Sequence, residues 1–269
     1  MQPAIKVERI GKRYRRFHAN RPTTLQESIV KGLRRLAPAE IFWALRDVSL
    51  TIDSGRTLGI IGANGAGKST LLRLIGGVSK PDEGYVETRG RIGALLDLSA
   101  GFHPDLTGRE NVFVSGVIAG LTRQEIAERF DAIVAFAELE NSIDYPLRTY
   151  STGMQMRLGF AVAAHCEPEI LLIDEWLAVG DVAFEAKCLR CIRQFQKDGT
   201  TIVVVSHNEN LIRELCDDVV WLKAGTVESY GSAKEVLKRY LDEMMPIQTL
   251  KVSYANQDNG QAIHLPLSR

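Results

Sequence analysis

The chain has 269 residues, of which 45% are hydrophobic and 25% are charged. This composition is typical of one large or two modest globular domains, and it excludes collagen-like, disordered and disulfide-scaffold proteins. The 33 basic and 33 acidic residues give a net charge of zero, so we expect no nucleic-acid partner. The sequence contains neither 18 consecutive apolar residues nor an apolar secretory signal at its start. We therefore predict a protein in the cytosol or on the cytosolic side of a membrane.

A basic segment lies between the first two predicted strands. Apolar and polar residues alternate in IKVERI at residues 5–10 and in VSLTI at residues 48–52, so each predicts a half-exposed strand. Between them, residues 12–35 contain eight Lys or Arg and one acid, Glu27. The TLQE sequence at residues 24–27 has the spacing of a capping box, which indicates the start of a helix.

Apolar residues recur at helical spacing after that capping box: Leu25, Ile29, Leu33 and Leu36. We predict a basic helical insert over about residues 15–43, which ends with the aromatic pair Phe42 and Trp43. Two interpretations of the insert are open. It is either a solvated basic face on a decorated loop, or an element that contacts anionic lipid headgroups or a permease.

Continuous apolar runs predict the buried strands of a parallel sheet. These runs lie at residues 57–61, 170–173 and 201–205. Residues 106–167 are predicted to be mostly helical, with a second capping box, TRQE, at residues 122–125. Strands that alternate with helices indicate an α/β fold, here interrupted by a helical region. Residues 246–269 are polar without periodicity and predict a loose tail.

The sequence has four cysteines: Cys166, Cys188, Cys191 and Cys216. Cys188 and Cys191 have the CxxC spacing found in redox and zinc sites. However, they lie three residues apart in a predicted helix, and no second CxxC or HxxxH completes a tetrahedral zinc site. We interpret the cysteines as buried or half-buried free thiols.

The most specific motif is GANGAGKST at residues 62–70, which fits the phosphate-loop pattern GxxxxGK[ST] between a predicted buried strand and a helix. Glycines let backbone N–H groups point toward phosphates, and the helix start adds about half a positive charge. Lys68 is predicted to reach the outer phosphates, and the Ser69 hydroxyl to ligate Mg²⁺. The candidate nucleotide-binding residues of this loop are Gly62, Asn64, Gly65, Gly67, Lys68, Ser69 and Thr70. The alternative is a glycine-rich turn without a ligand.

Polar residues follow two of the predicted buried strands. Glu175 directly follows the apolar run ILLID at residues 170–174, and Ser206 and His207 follow the strand at residues 201–205. Acids at the end of an apolar strand and a lone histidine both also occur for structural reasons. A phosphate loop requires a second Mg²⁺ partner, however, and Asp174 fits that role. Glu175 is then placed to polarise the attacking water, and His207 to sense the γ-phosphate.

A second anion-binding helix start is predicted at YSTGMQMR, residues 150–157. Ser151 and Gly153 open an apolar helix there, which is the arrangement that binds phosphate. One chain needs only one phosphate site. We therefore infer that the second one serves a nucleotide held by another copy of the chain.

Together these motifs resemble the nucleotide-binding subunits of ABC transporters over about residues 4–230. They occur in that family's order: the P-loop, the Ser-x-Gly signature, the strand ending in Asp174 and Glu175, the AVGD segment at residues 178–181, and His207. The resemblance implies an α/β fold with a P-loop NTPase core, a mostly parallel sheet and an N-terminal antiparallel β part. It also implies a nucleotide-binding domain over residues 1–245, with an inserted helical subdomain over about residues 98–168.

The same resemblance implies how the site works. Two copies pack head to tail around two ATP molecules with Mg²⁺. Ser151 and Gly153 of one copy contact the γ-phosphate bound by Lys68 of the other copy. Asp181 is implied to be the aspartate of the dimer interface, and Glu175 the catalytic carboxylate.

Tyr14 matches the aromatic residue that stacks on adenine in this family. The alternative is an exposed tyrosine of a strand. The glutamine that the family usually carries between the P-loop and the signature is absent, because LLDLS occupies residues 95–99. An alignment to the family without gaps places Leu98 at the position of this glutamine, next to Asp97.

Further departures narrow the resemblance to a group within the family. The signature is YSTGM, whereas the common form is LSGGQ. This signature, the basic insert, AGFHPDLTGREN at residues 100–111 and DEWLAVGD at residues 174–181 resemble ATPases that export O-antigen, capsule or teichoic acid chains. Some members of that group carry a carbohydrate-binding domain. Here 24 residues follow Met245, too few for a β-sandwich, so we expect no such domain.

The resemblance implies an ATPase that drives a lipid-linked polysaccharide across the cytoplasmic membrane. It works with a separate multi-span permease in a complex of two ATPase and two permease chains, on the cytoplasmic face of the membrane. Two alternatives are open at this point. One is an ABC ATPase for another cargo, such as a drug, a small lipid or a metal chelate. The other is a soluble ABC ATPase that acts on ribosomes or nucleic acid.

Overall fold

A computed structural model of the chain describes residues 2–16, 40–95, 102–175 and 182–244. The strands are β1 (Pro3–Arg16), β2 (Glu40–Asp53), β3 (Thr57–Ile61), β4 (Glu83–Thr88), β5 (Ile92–Leu95), β6 (Ile170–Asp174), β7 (Thr201–Val205), β8 (Asp218–Lys223) and β9 (Thr226–Ser232). The helices are α1 (Lys68–Ile75), α2 (Gly108–Ile118), α3 (Arg123–Ala137), α4 (Thr152–Ala164), α5 (Val182–Lys197), α6 (Glu209–Leu215) and α7 (Ala233–Met244). Within these ranges no helix has the length and hydrophobicity needed to cross a bilayer.

An antiparallel sheet with the order β2-β1-β4 contains the N-terminal strand. Ile5, Val7 and Ile10 of β1 are buried, and they pack in the core beneath this sheet. The β1–β2 pairing continues to the ends of both strands, where Arg16 pairs with Glu40. The predicted N-terminal antiparallel part of the fold is thus confirmed.

The structure corrects the edges of the predicted insert at residues 15–43. Both of its margins are strand, because β1 extends to Arg16 and β2 begins at Glu40. Phe42 and Trp43, predicted to close a helical segment, pair instead with Tyr14 and Arg13 of β1. Aromatic side chains fit a pleated surface well, which favours strand here. The predicted helix at residues 24–36 lies outside the described residues.

The central sheet has the order β5-β6-β7-β3-β8-β9. The neighbours from β5 to β8 are parallel, and β9 is antiparallel to β8. Every residue of β3 and β7 is buried, as expected for strands covered on both faces. The register pairs Ile60 with Val205 and Asp174 with Val205, so β3, β6 and β7 end at the same edge of the sheet. The predicted mostly parallel α/β core is confirmed.

A separate helical region contains α2, α3 and α4. Its core is built from buried side chains of all three helices, among them Val112, Ile126 and Leu158. The predicted capping box at the start of α3 is confirmed, because Thr122 and Glu125 exchange hydrogen bonds. Such a box satisfies two backbone N–H groups that the helix itself leaves without partners.

The predicted free thiols are confirmed for all four cysteines. Cys188 and Cys191 lie on α5, where Cys188 is buried and Cys191 is half-buried. Burial raises the pKa of Cys188 to about 12 and that of Cys191 to about 11. A thiol with such a pKa remains protonated at neutral pH, which opposes a redox or metal-binding role.

Candidate functional site

The candidate site begins in the turn between β3 and α1. Gly62 and Gly67 have φ values of 144° and 104°, which favour glycine. A Cβ at Gly62 would overlap the Leu222 carbonyl oxygen, and one at Gly67 would lie 2.6 Å from the Ala44 carbonyl oxygen. The loop therefore requires glycine at both positions for its conformation and for its close approach to neighbouring backbone.

Lys68 is the first residue of α1, and its side chain is only 6% exposed. Its Nζ donates hydrogen bonds to the carbonyl oxygens of Gly62 at 3.0 Å and Ala63 at 3.2 Å. The same Nζ lies 3.9 Å from Oε1 of Glu175. An ammonium group held inside the loop by backbone carbonyls can exchange them for phosphate oxygens.

Ser69 and Asp174 meet where α1 begins and β6 ends. Ser69 Oγ donates a hydrogen bond to Asp174 Oδ1 at 3.2 Å. Burial raises the pKa of the Asp174 carboxyl group, and the hydrogen bond from Ser69 opposes that rise. A hydroxyl and a half-buried carboxylate provide the hard oxygen ligands that Mg²⁺ prefers, so the donor set fits this ion.

Glu175 and His207 form a second polar pair, directly beyond β6 and β7. Glu175 Oε1 lies 2.9 Å from Nε2 of His207, and its backbone N–H donates to the Val205 carbonyl oxygen at 3.0 Å. Glu175 has a φ of 48°, a left-handed conformation that costs a non-glycine residue about 1–3 kcal/mol. The structure thus places a partly exposed carboxylate between a lysine and a histidine. Because β6 and β7 are parallel neighbours, residues just beyond their ends meet, a contact that sequence analysis of each strand alone did not reveal.

Ser151 begins α4, on the helical region of the fold. Its Oγ accepts a hydrogen bond from the Met154 backbone N–H at 3.2 Å, so Ser151 is the N-cap of this helix. Apart from the backbone of α4 and the neighbours of Gly153 in sequence, Ser151 Oγ at 3.8 Å is the nearest atom that an added Cβ at Gly153 would meet in the described part of the chain. The exposed start of α4 is therefore open to an approaching anion. It is part of a different subdomain from Lys68.

Tyr14 lies near the end of β1 and is 38% exposed. Its ring centroid is 6.0 Å from that of Phe42, and Lys12 Nζ lies 5.9 Å from the Tyr14 ring. Tyr14 also lines a cavity of about 650 Å³ with Arg73 and Ser79, which extends to α2, α4 and β5. The ring is thus accessible for stacking, in agreement with either interpretation of this residue.

The remaining predicted site residues lie either in the phosphate-loop motif at residues 62–70 or outside the described residues. Asn64 and Gly65 are exposed at the tip of the loop, and Thr70 follows Ser69 on α1. Asp181 and Leu98 lie outside the described residues. Sequence analysis did not identify Ala63, whose carbonyl oxygen holds Lys68. A backbone acceptor leaves no signal in residue type.

Comparisons with known proteins agree with this geometry. Residues 45–178 match the family model described as ABC transporter. The chain is 43% identical over 246 residues to the O-antigen export system ATP-binding protein RfbB of Klebsiella pneumoniae, covering 91% of this chain and 100% of the relative. It is 39% identical to the teichoic acids export ATP-binding protein TagH of Lactococcus lactis, covering 88% of this chain and 50% of that one.

A similar solved structure is the dimeric ATP-binding cassette MJ0796 in a post-hydrolysis state bound to ADP and Pi. It has a TM-score of 0.68 and 27% identity, covering 85% of this chain and 98% of that chain. The P-loop core, the signature helix and the relatives therefore agree on one assignment. The chain belongs to the ABC transporter family, as an ATPase of the group that includes the O-antigen and teichoic acid export ATP-binding proteins.

Proposed function

We propose that this ATPase powers the export of a lipid-linked cell-surface polysaccharide across the cytoplasmic membrane. The observation that carries the ATPase part of the proposal is the meeting of Lys68, Asp174 and Glu175 at one edge of the sheet. Relatives whose names refer to O-antigen and teichoic acid export support the class of cargo. The ATP-binding domain spans residues 1–245, and residues 246–269 form a polar tail.

Nucleotide binding follows from the geometry of the P-loop. The backbone amides of residues 62–70 and the start of α1 attract the phosphates of ATP. Lys68 exchanges the carbonyl oxygens of Gly62 and Ala63 for phosphate oxygens. Ser69 and Asp174 would hold Mg²⁺, which neutralises charge on the β- and γ-phosphate oxygens when it is bound.

Hydrolysis uses the pair beyond β6 and β7. His207 Nε2 lies 2.9 Å from Oε1 of Glu175 and orients the carboxylate, and the same histidine senses the γ-phosphate. The attacking water forms a bond to the γ-phosphorus, the bond to the bridging oxygen of ADP breaks, and Glu175 accepts the proton of the water. Positioning and charge stabilisation supply most of the rate enhancement in phosphoryl transfer, which agrees with a site of few reactive groups.

The site is completed by a second copy of the chain. Ser151 and Gly153 start an exposed helix on a different subdomain from Lys68, so they are available to the γ-phosphate of a partner's ATP. Asp181 contributes to the same interface, and Tyr14 stacks on adenine. The dimeric form of a cassette with a similar fold supports this arrangement.

The ATPase dimer acts on two copies of a separate permease, in a peripheral position on the cytoplasmic face of the membrane. ATP binding closes the dimer and hydrolysis reopens it, and the permease converts this movement into transport. The basic insert at about residues 15–43 contacts anionic headgroups or the permease. No nucleic acid takes part.

A pull-down tests the whole proposal. Tagged Glu175→Gln protein is incubated with detergent-solubilised native membranes and Mg-ATP, and its partners are identified by mass spectrometry. We expect a polytopic membrane protein at one-to-one stoichiometry, and less of it in a matched sample without ATP. Recovery of ribosomal proteins or nucleic acid in place of a membrane protein would exclude export.

A further inference from the structure

Helices α3, α4 and α5 meet at a single carboxylate, Glu138, the residue directly after α3. Its Oε2 accepts a hydrogen bond from Arg157 of α4 at 2.9 Å. Its Oε1 accepts one from Lys187 of α5 at 3.1 Å. One side chain therefore joins two helices that are separate in sequence. We call Glu138, Arg157 and Lys187 the three-helix junction.

The junction also closes the C-terminal end of α3. Lys187 Nζ donates a hydrogen bond to the Phe136 carbonyl oxygen at 2.8 Å. The last carbonyl groups of a helix lack partners within it and carry partial negative charge, so a cation stabilises them. Glu138 itself has a φ of 59°, the left-handed conformation that ends many helices. The backbone geometry thus presents its carboxylate to both cations.

Aromatic rings form an apolar layer next to these charges. The Arg157 guanidinium lies 4.9 Å from the centroid of the Phe184 ring, and Lys187 Nζ lies 4.7 Å from that of Phe136. The Phe136 and Phe184 rings meet edge to face, with centroids 6.0 Å apart. The faces of the two rings attract the cations and so favour the positions in which they meet Glu138.

The two helices that share Glu138 begin at functional positions. Helix α4 starts directly after Ser151, and Arg157 follows six residues later, roughly 9 Å along the axis. Helix α5 starts at Val182, the residue after Asp181, and Lys187 is five residues further on. The junction therefore ties together the helix that carries the signature and the helix that follows the interface aspartate.

We propose that Glu138 is a positioning residue that holds the starts of α4 and α5 in one fixed arrangement, so that both meet the partner copy together when ATP closes the dimer. This inference rests on the proposed function. Stabilisation of the fold alone would be a weak role for this side chain, because it is 52% exposed and such ion pairs contribute little to stability.

The test introduces Glu138→Gln into Glu175→Gln protein, in which ATP is bound but not cleaved. We expect the ATP concentration for half-maximal dimerisation, measured by light scattering, to rise about fivefold, as the loss of one such coupling predicts. The affinity of the dilute monomer for a fluorescent ATP analogue should not change. Asp144→Asn is the matched control, because it removes an exposed carboxylate–arginine pair with Arg109 in the same subdomain.

A mutant cycle between Glu138 and its two partners tests whether Glu138 acts through Arg157 and Lys187. In protein that already carries Arg157→Gln and Lys187→Gln, Glu138→Gln should have no further effect on dimerisation. Unchanged dimerisation in Glu138→Gln, or an equal shift in Asp144→Asn, overturns the inference while the proposed function stands. If Glu175→Gln protein binds ATP but does not dimerise with it, the proposed dimer and the inference both fail.

Discussion

Glutamine in place of Glu175 tests the chemical step with little structural disturbance. The replacement keeps the size of the side chain and leaves an oxygen that can still accept from His207, 2.9 Å away in the native protein. It removes the negative charge that faces Lys68 Nζ at 3.9 Å, and with it the group that accepts the proton of the attacking water.

The structure predicts that Glu175→Gln has a small effect on the free energy of unfolding and a large effect on the rate of ATP hydrolysis. Glu175 is 43% exposed, so the charge pair with Lys68 contributes no more than about 1 kcal/mol to the free energy of unfolding. Loss of a general base lowers a rate by about 10²- to 10⁴-fold. We expect the turnover of ATP to fall by that factor, while ATP binding and the thermal unfolding midpoint stay close to the native values.

Phosphate release measures turnover, and a fluorescent ATP analogue measures binding. Glu167→Gln is the matched control, since Glu167 has a φ of 47°, close to the 48° of Glu175, and pairs with Arg129 at 3.0 Å. The control should hydrolyse ATP at the native rate. If Glu175→Gln also retains native turnover, Glu175 is not the catalytic carboxylate.

Three further predictions concern the loop and the thiols. Lys68→Ala should weaken binding of the ATP analogue about 10- to 100-fold, because a charge-assisted contact to phosphate is lost; native affinity would contradict the role of Lys68. Gly67→Ala should lower the free energy of unfolding by about 1–3 kcal/mol, measured by denaturant titration, since φ is 104° and the new Cβ would approach the Ala44 carbonyl oxygen. Burial raises the pKa of Cys188 to about 12 and that of Cys166 to about 11, so a thiol reagent at pH 8 should label neither residue until denaturant is added; rapid labelling of the native protein would oppose this burial.

The core of the site was predictable because its signals are local. The strands β3 and β7 match the predicted bounds, since continuous apolar runs at residues 57–61 and 201–205 are buried on both faces. The loop pattern at residues 62–70 places Lys68 and Ser69 at the start of α1, but it does not mark the backbone carbonyl oxygens that accept from Lys68. Asp174 ends its strand one residue beyond the predicted apolar run.

Features that depend on distant residues were not predictable. Strand β1 was predicted to end at Ile10 but continues to Arg16. The prediction stopped too early because register shifts after Val7, Ile10 and Lys12 break the alternation of apolar and polar residues on which it depended. The three-helix junction joins residues that are 19 and 49 positions apart. No spacing rule for one helix or strand relates such residues, and only the packing of helices brings them together.

The pairing of Arg16 with Glu40 brings the two ends of residues 17–39 together. Directly paired residues of antiparallel strands lie about 4.5–5.5 Å apart at their Cα atoms. A short hairpin turn could bridge that gap, and so could a segment of any greater length, since the entropy of closing a loop grows slowly with its length. The paired ends of β1 and β2 can therefore accept connecting segments of different length and sequence without a change in the pairing of these two strands.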